Sequence, residues 1–119
     1  MEKLTQQEEE AMQAVWKIGA GNIKSFMAVL REPLPPYTTL ASTVKNLEKK
    51  GFVKSMLIGN SHIYSPSITE EAYKQRFIGN AVKDYFENSY KEMVSFFVEK
   101  NKISTEELKE IIGLIEGKK

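Results

Sequence analysis

Apolar residues in the first half of the chain recur with helical spacing and then switch abruptly to a strand-like run. Ala11, Met12, Val15 and Trp16 form one stripe. Ahead of them Thr5-Gln6-Gln7-Glu8 has the T-x-x-E form of a capping box, in which threonine and glutamate satisfy orphan backbone donors. A first helix is therefore predicted from Thr5, stopped by Gly19-Ala20-Gly21. Ile23, Phe26, Met27 and Leu30 predict a second helix from about Asn22 to Arg31, and Pro33, Pro35 and Pro36 break the chain after it. Leu40, Val44 and Leu47 predict a third helix over about residues 38–50, ending at Gly51. Residues Phe52 to Ile58 and Ser61 to Tyr64 are then rich in β-formers. Gly59-Asn60 between them suits a two-residue hairpin turn.

Past Ser65-Pro66-Ser67 the pattern is helical throughout. Thr69 is placed to cap a long helix with Ala72, Tyr73, Phe77, Ala81 and Tyr85 near one face. Tyr90, Met93, Val94, Phe97 and Val98 make a second stripe, with Phe96 off it. Ser104-Thr105-Glu106-Glu107 is another capping box, introducing Leu108, Ile111, Ile112 and Ile115. The expected architecture is mainly α with a small β-hairpin wing. Residues 1–66 form a winged helix-turn-helix domain, and residues 67–119 form a helical dimerisation domain.

Size and composition narrow the function classes. The chain has 119 residues, 41% of them hydrophobic, and no low-complexity segment, so a folded chain is expected. No apolar run approaches the roughly 20 residues of a membrane span, and Met1-Glu2-Lys3 opens no signal peptide, which predicts a cytoplasmic protein without membrane contact. With no cysteine, disulfides, thiolate metal sites and thiol nucleophiles are excluded. The formal charge of +1 is unevenly spread. Tyr37 to Pro66 holds four lysines (Lys45, Lys49, Lys50, Lys54) and one acid (Glu48), a net of +3. Ser67 to Lys119 holds nine basic and ten acidic residues, a net of −1. Positive charge is concentrated on the helix–hairpin segment, as phosphate contact requires.

The third helix buries one face and leaves small, hydrogen-bonding or cationic residues on the rest. A helix of this kind followed by a hairpin outlines a winged-helix DNA-binding domain. The helix over about 38–50 is expected in a major groove, with Thr38, Thr39, Ser42, Lys45 and Asn46 at base edges and nearby phosphates. Lysine can donate to guanine, asparagine can bridge adenine, and hydroxyls adapt to either. Ala41 offers a methyl-sized contact and Lys49 a further cation. Tyr37 either reaches a phosphate or staples the helix to the core. The wing over 52–64, through Lys54, Asn60, Ser61 and His62, is expected on the backbone. His62 is the single histidine, which leaves a metal site without its commonest ligand. The acids Glu8-Glu9-Glu10 and Glu106-Glu107 sit in first turns of helices, where they complement the helix dipole. With no nucleophile–base constellation and no phosphate loop, the chain reads as a non-enzyme that needs no cofactor or metal.

The tail carries more apolar surface than three helices of this size can bury among themselves. A second copy related by a two-fold axis is the simplest cover. The expected dimerisation set is Tyr73, Phe77, Ala81, Tyr85, Phe86, Met93, Phe96, Phe97, Leu108, Ile111, Ile112, Leu114 and Ile115. Two other readings stay open. One is a small-molecule-responsive regulator with a pocket lined by Tyr73, Phe77 and Tyr85; the other uses the winged helix as a protein-interaction module.

Four segments, LTQQEEEAMQAVWKIG, TTLASTVKNLEKKGFV, GNSHIYSP and MVSFFVEKNKISTEELKEIIGLIE, resemble in order and spacing the penicillinase-repressor family of BlaI, MecI and CopY type. The resemblance implies a homodimeric winged-helix repressor of a two-fold symmetric, double-stranded operator. It also implies release through damage to, or cleavage of, the C-terminal domain, which makes a sensor protease an expected partner. Positions that often carry arginine in the staphylococcal recognition helix are Ala41 and Asn46 here, so a different base preference is expected. The cysteine-rich motif of the copper-responsive branch is missing, and Ser95-Phe96 stands where the β-lactam-responsive members are cut at an Asn-Phe bond.

Overall fold

The computed structural model describes residues 3–117 and contains six helices and one hairpin: α1 (Gln6–Ile18), α2 (Ile23–Met27), α3 (Tyr37–Lys49), β1 (Val53–Ile58), β2 (Ser61–Pro66), α4 (Glu70–Tyr85), α5 (Tyr90–Glu99) and α6 (Thr105–Gly117). They form two compact units, the first ending at Lys74 and the second beginning at Gln75. Among the described residues no helix is long and apolar enough to cross a membrane.

Local chemistry sets most helix ends. The capping box at α1 is complete, with the Thr5 hydroxyl accepting from the Glu8 N–H and the Glu8 carboxylate accepting from the Thr5 N–H. Gly19 closes α1 with φ +91°, a value that a Cβ makes costly. Asn22 caps α2 by accepting from the Ser25 N–H. The second helix is shorter than its apolar spacing predicts. After Met27 the chain tightens, with Val29 and Leu30 donating to carbonyls three residues back, at Phe26 and Met27. Pro33 lacks an N–H to carry the helix on and biases Glu32 away from helical geometry.

In the hairpin, β1 and β2 pair antiparallel with Met56 opposite Ile63, Leu57 opposite His62 and Ile58 opposite Ser61. Gly59 has φ +61° and Asn60 does not take a positive φ, so one residue alone supplies the turn's left-handed backbone, the type II′ pattern. Gly21 adds a third partner through a two-bond bridge to Tyr64. A Cβ at Gly21 would run into Ser25 Oγ, which would have to turn away from the Asn22 carbonyl it donates to, and would crowd Ile18 and Phe26.

The first unit has the core that the sequence predicts. Met12 and Val15 from α1, Phe26 from α2, Val44 and Leu47 from α3, and Phe52 after it are all fully buried. Thr43 is buried with its hydroxyl donating to the Thr39 carbonyl. This unit extends past Ser65-Pro66-Ser67, the boundary the sequence suggested. Pro66 closes β2, Ser67 donates to the Phe52 carbonyl, and Ile68 and Tyr73 pack against the core. The Trp16 indole N–H donates to the Ile68 carbonyl at 2.9 Å. The Tyr73 ring packs tilted against Trp16 and edge-on to Phe52, with centroids 5.4 and 6.0 Å away, and its hydroxyl donates to Glu9 at 3.2 Å.

The second unit is built differently. Helix α4 is capped by Thr69 of the first unit, Ser89 caps α5, and Ser104 with Glu107 forms a second complete capping box at α6. Its helices nevertheless bury only Val82. Phe86, Phe96 and Phe97 make edge-to-face contacts, with Lys100 over the Phe96 ring at 5.6 Å. Ile111, Ile112, Leu114 and Ile115 of α6 are all exposed.

Candidate nucleic-acid interface

Helix α3 starts after Pro36, whose ring pre-sets the chain direction and which offers no side-chain cap. Leu40, Thr43, Val44 and Leu47 fill its buried face. At about 100° per residue, Thr38, Ser42, Lys45 and Lys49 line up on the opposite side, and all four are exposed. Ala41 flanks this row on one side, half-buried, and Asn46 flanks it on the other, exposed. Thr39 is half-buried and Tyr37 exposed at the first turn. The row carries hydroxyls and cations and no carboxylate, which is what a helix needs between two rows of phosphates.

The single acid of α3 is turned aside. Glu48 accepts a hydrogen bond from the Ser55 hydroxyl of β1 at 2.6 Å, joining the hairpin to the end of the helix. Tyr64, buried beneath, has its phenol pushed above the usual range by burial first and then by the charges of Glu48 and Tyr37. Of the wing residues singled out by sequence, Lys54, Asn60, Ser61 and His62 are all exposed, His62 lying 6.4 Å from the Tyr64 ring.

Lys50 is used differently from the other lysines of this segment. Its ammonium meets Glu8 Oε1 at 2.7 Å and donates to the Lys3 carbonyl at 3.3 Å. Burial by itself would raise the Glu8 carboxyl. The hydrogen bond from Lys50, the Thr5 N–H and the Lys50 charge outweigh burial and hold it below its ordinary value. Lys45, Lys49 and Lys54 are left as the cations on the exposed side. No spacing signal in the sequence could have separated Lys50 from them, because its partner lies 42 residues away.

The residues expected at a subunit contact fall into two groups. Tyr73 is engaged with Trp16, Phe52 and Glu9 in the first unit. In the second unit Phe77, Tyr85, Phe96, Phe97, Ile111, Ile112, Leu114 and Ile115 are exposed, while Ala81, Phe86, Met93 and Leu108 are half-buried. An open groove of about 1060 Å³ runs along α1 and residues 29–36, and its lining includes none of Tyr73, Phe77 or Tyr85.

Compared with known families, residues 4–117 match the family described as penicillinase repressor. No curated protein matches the chain.

Proposed function

We propose that this chain, which belongs to the penicillinase repressor family and is therefore a DNA-binding transcriptional repressor and not an enzyme, grips its operator as a homodimer. Each protomer lays α3 in a major groove and sets its hairpin on the adjoining backbone. The observation that carries this reading is the exposed row Thr38, Ser42, Lys45 and Lys49, free of acids, beside a hairpin tied to the same helix. Ser42, Lys45 and Asn46 read base edges, Thr38, Thr39 and Ala41 add contacts at the near end, and Tyr37, Lys49 and Lys54 with Asn60, Ser61 and His62 hold phosphates.

Dimerisation belongs to the helices after residue 67. Their apolar side chains stand in water to an extent that a stable monomer rarely tolerates. Each half-site contributes few cations, so tight binding depends on two protomers acting together at effective concentration. Half-sites about 34–36 Å apart, or multiples of that, follow from two-fold symmetry. Loss of the C-terminal helices, by a sensor protease cutting at Ser95-Phe96 or by any other damage, then releases the operator without touching α3. The repressor works where the chromosome is, in the cytoplasm.

The test is binding of the purified chain to labelled DNA from upstream of its own gene, at two salt concentrations and against scrambled duplex. Selective binding that weakens with salt and with Lys45→Ala is expected. Equal binding to both duplexes, by a folded and dimeric chain, would sink this reading.

A further inference from the structure

The outer part of the hairpin carries Met56, Leu57 and Ile58 in succession, exposed to 65%, 61% and 57%. Phosphate contact gives these side chains nothing to do. Strand alternation puts Met56 and Ile58 on one face and Leu57 on the other, so the tip is apolar on both sides. Isolated exposed hydrophobics are ordinary, but three in a row on a projecting hairpin are not.

We propose that this tip enters the minor groove beside the stretch of major groove occupied by α3, packing against its sugar walls and wedging at a base step. The proposal rests on the operator-binding reading above. Three properties favour DNA over a protein partner. The chain has lysines but no acid from Lys49 to Thr69, a charge that suits a cleft between phosphate rows. The patch is three side chains wide, far below the roughly 800 Å² per partner of a stable protein interface, yet matched to a groove about 6 Å across. The hairpin is also bonded to α3 through Ser55 and Glu48, so helix and wing meet the same duplex together. Leucine, isoleucine and methionine are the kinds of side chain that wedge between base steps. Such a tip gives the repressor a preference for a flexible pyrimidine–purine step outside the bases that α3 reads.

The experiment selects duplexes from a random-sequence pool with the full chain, then measures affinity for an enriched duplex at several salt concentrations. Leu57→Ser and Ile58→Ser are each expected to weaken binding about tenfold at every salt, which corresponds to about 1.4 kcal/mol. The salt slope stays the same, because an apolar contact releases no counterions, whereas Lys54→Ala reduces the slope by about 2, one phosphate contact from each protomer of the dimer. Pools selected by the two serine variants should lose the flanking-step preference. The two side chains lie on opposite faces, so a fold defect in one variant leaves the other to decide, with melting as the control. Unchanged affinity and unchanged flanking preference in a folded variant overturn the wedge. If such a variant also self-associates less in sedimentation, the tip is a protein-docking surface instead. No enriched duplex with the wild-type chain is a separate failure, which removes the operator reading and the wedge with it.

Discussion

The ammonium of Lys50 sits 2.7 Å from the carboxylate of Glu8, clamping the end of α3 to the capping box of α1. Both groups are largely shielded, with side-chain exposures of 22% and 6%. One carboxylate therefore serves a backbone N–H and an ammonium at once.

Lys50→Ala and Lys45→Ala should consequently behave as opposites. Lys50→Ala lowers stability in urea by about 1–2 kcal/mol, the scale of a lost charge-assisted hydrogen bond, and leaves the salt slope of DNA binding unchanged. Lys45→Ala leaves stability within about 0.5 kcal/mol but weakens operator binding and relaxes base preference, because its ammonium stands at a base edge. Anisotropy titrations at four salt concentrations with parallel urea melts separate the two.

Acid should act through Glu8. Its folded carboxyl lies below the ordinary value of 4.5, because the bonds from Lys50 and Thr5 outweigh burial. The unfolded state therefore takes up the proton first. The clamp's contribution is complete above 4.5 and fades as pH falls through the lower, folded value. Glu8→Gln should be destabilised by about 1–2 kcal/mol near neutrality and converge on wild type in acid. A deficit that stays constant with pH would argue against the clamp.

Alkali should act through Tyr73, whose phenol is pushed up to about 12 by burial, then by the charge of Glu9 and the bond to it. The neutral phenol is favoured in the folded state, so its contribution is complete below 10 and lost as pH rises through about 12. Tyr64 shifts in the same direction. Phenolate absorbance should show Tyr64 and Tyr73 titrating late, both returning to the ordinary range when the protein unfolds. Tyr73→Phe should remove one late titration.

Trp16 is the single tryptophan, and its indole N–H caps the Ile68 carbonyl ahead of α4. Trp16→Phe keeps the aromatic packing but strands that carbonyl, so a loss of about 1–3 kcal/mol is expected. In the wild-type chain, denaturant titration followed by tryptophan fluorescence should report the first unit, including the docking of residues 68–73.

The exposed residues of α6 carry the dimer prediction. Ile111→Asp with Ile115→Asp places two charges on one helical face. Sedimentation should then show a monomer. Operator affinity should fall by about 100-fold or more as avidity is lost, while tryptophan-detected unfolding stays unchanged. A dimer that persists would place the contact elsewhere.

What the sequence determined by itself was the set of features whose partners lie within one turn. The boxes at Thr5–Glu8 and Ser104–Glu107, the glycine stop at Gly19, the hairpin at Gly59-Asn60 and the buried stripe of α3 all rest on spacings of two to four residues. Apolar period alone overextended the second helix, because Ile23, Phe26, Met27 and Leu30 can share a face whether the last turn is α or tightened. Tertiary structure decided everything that depends on which faces meet. It paired Lys50 with Glu8 across 42 residues and Trp16 with Ile68 across 52, bridged Gly21 to Tyr64, and carried the first unit past Pro66 to Lys74. A lysine on a helix looks the same in sequence whether it faces a phosphate or a carboxylate. Only the packing of α1 against α3 brings Glu8 within 2.7 Å of Lys50 and occupies that charge within the fold.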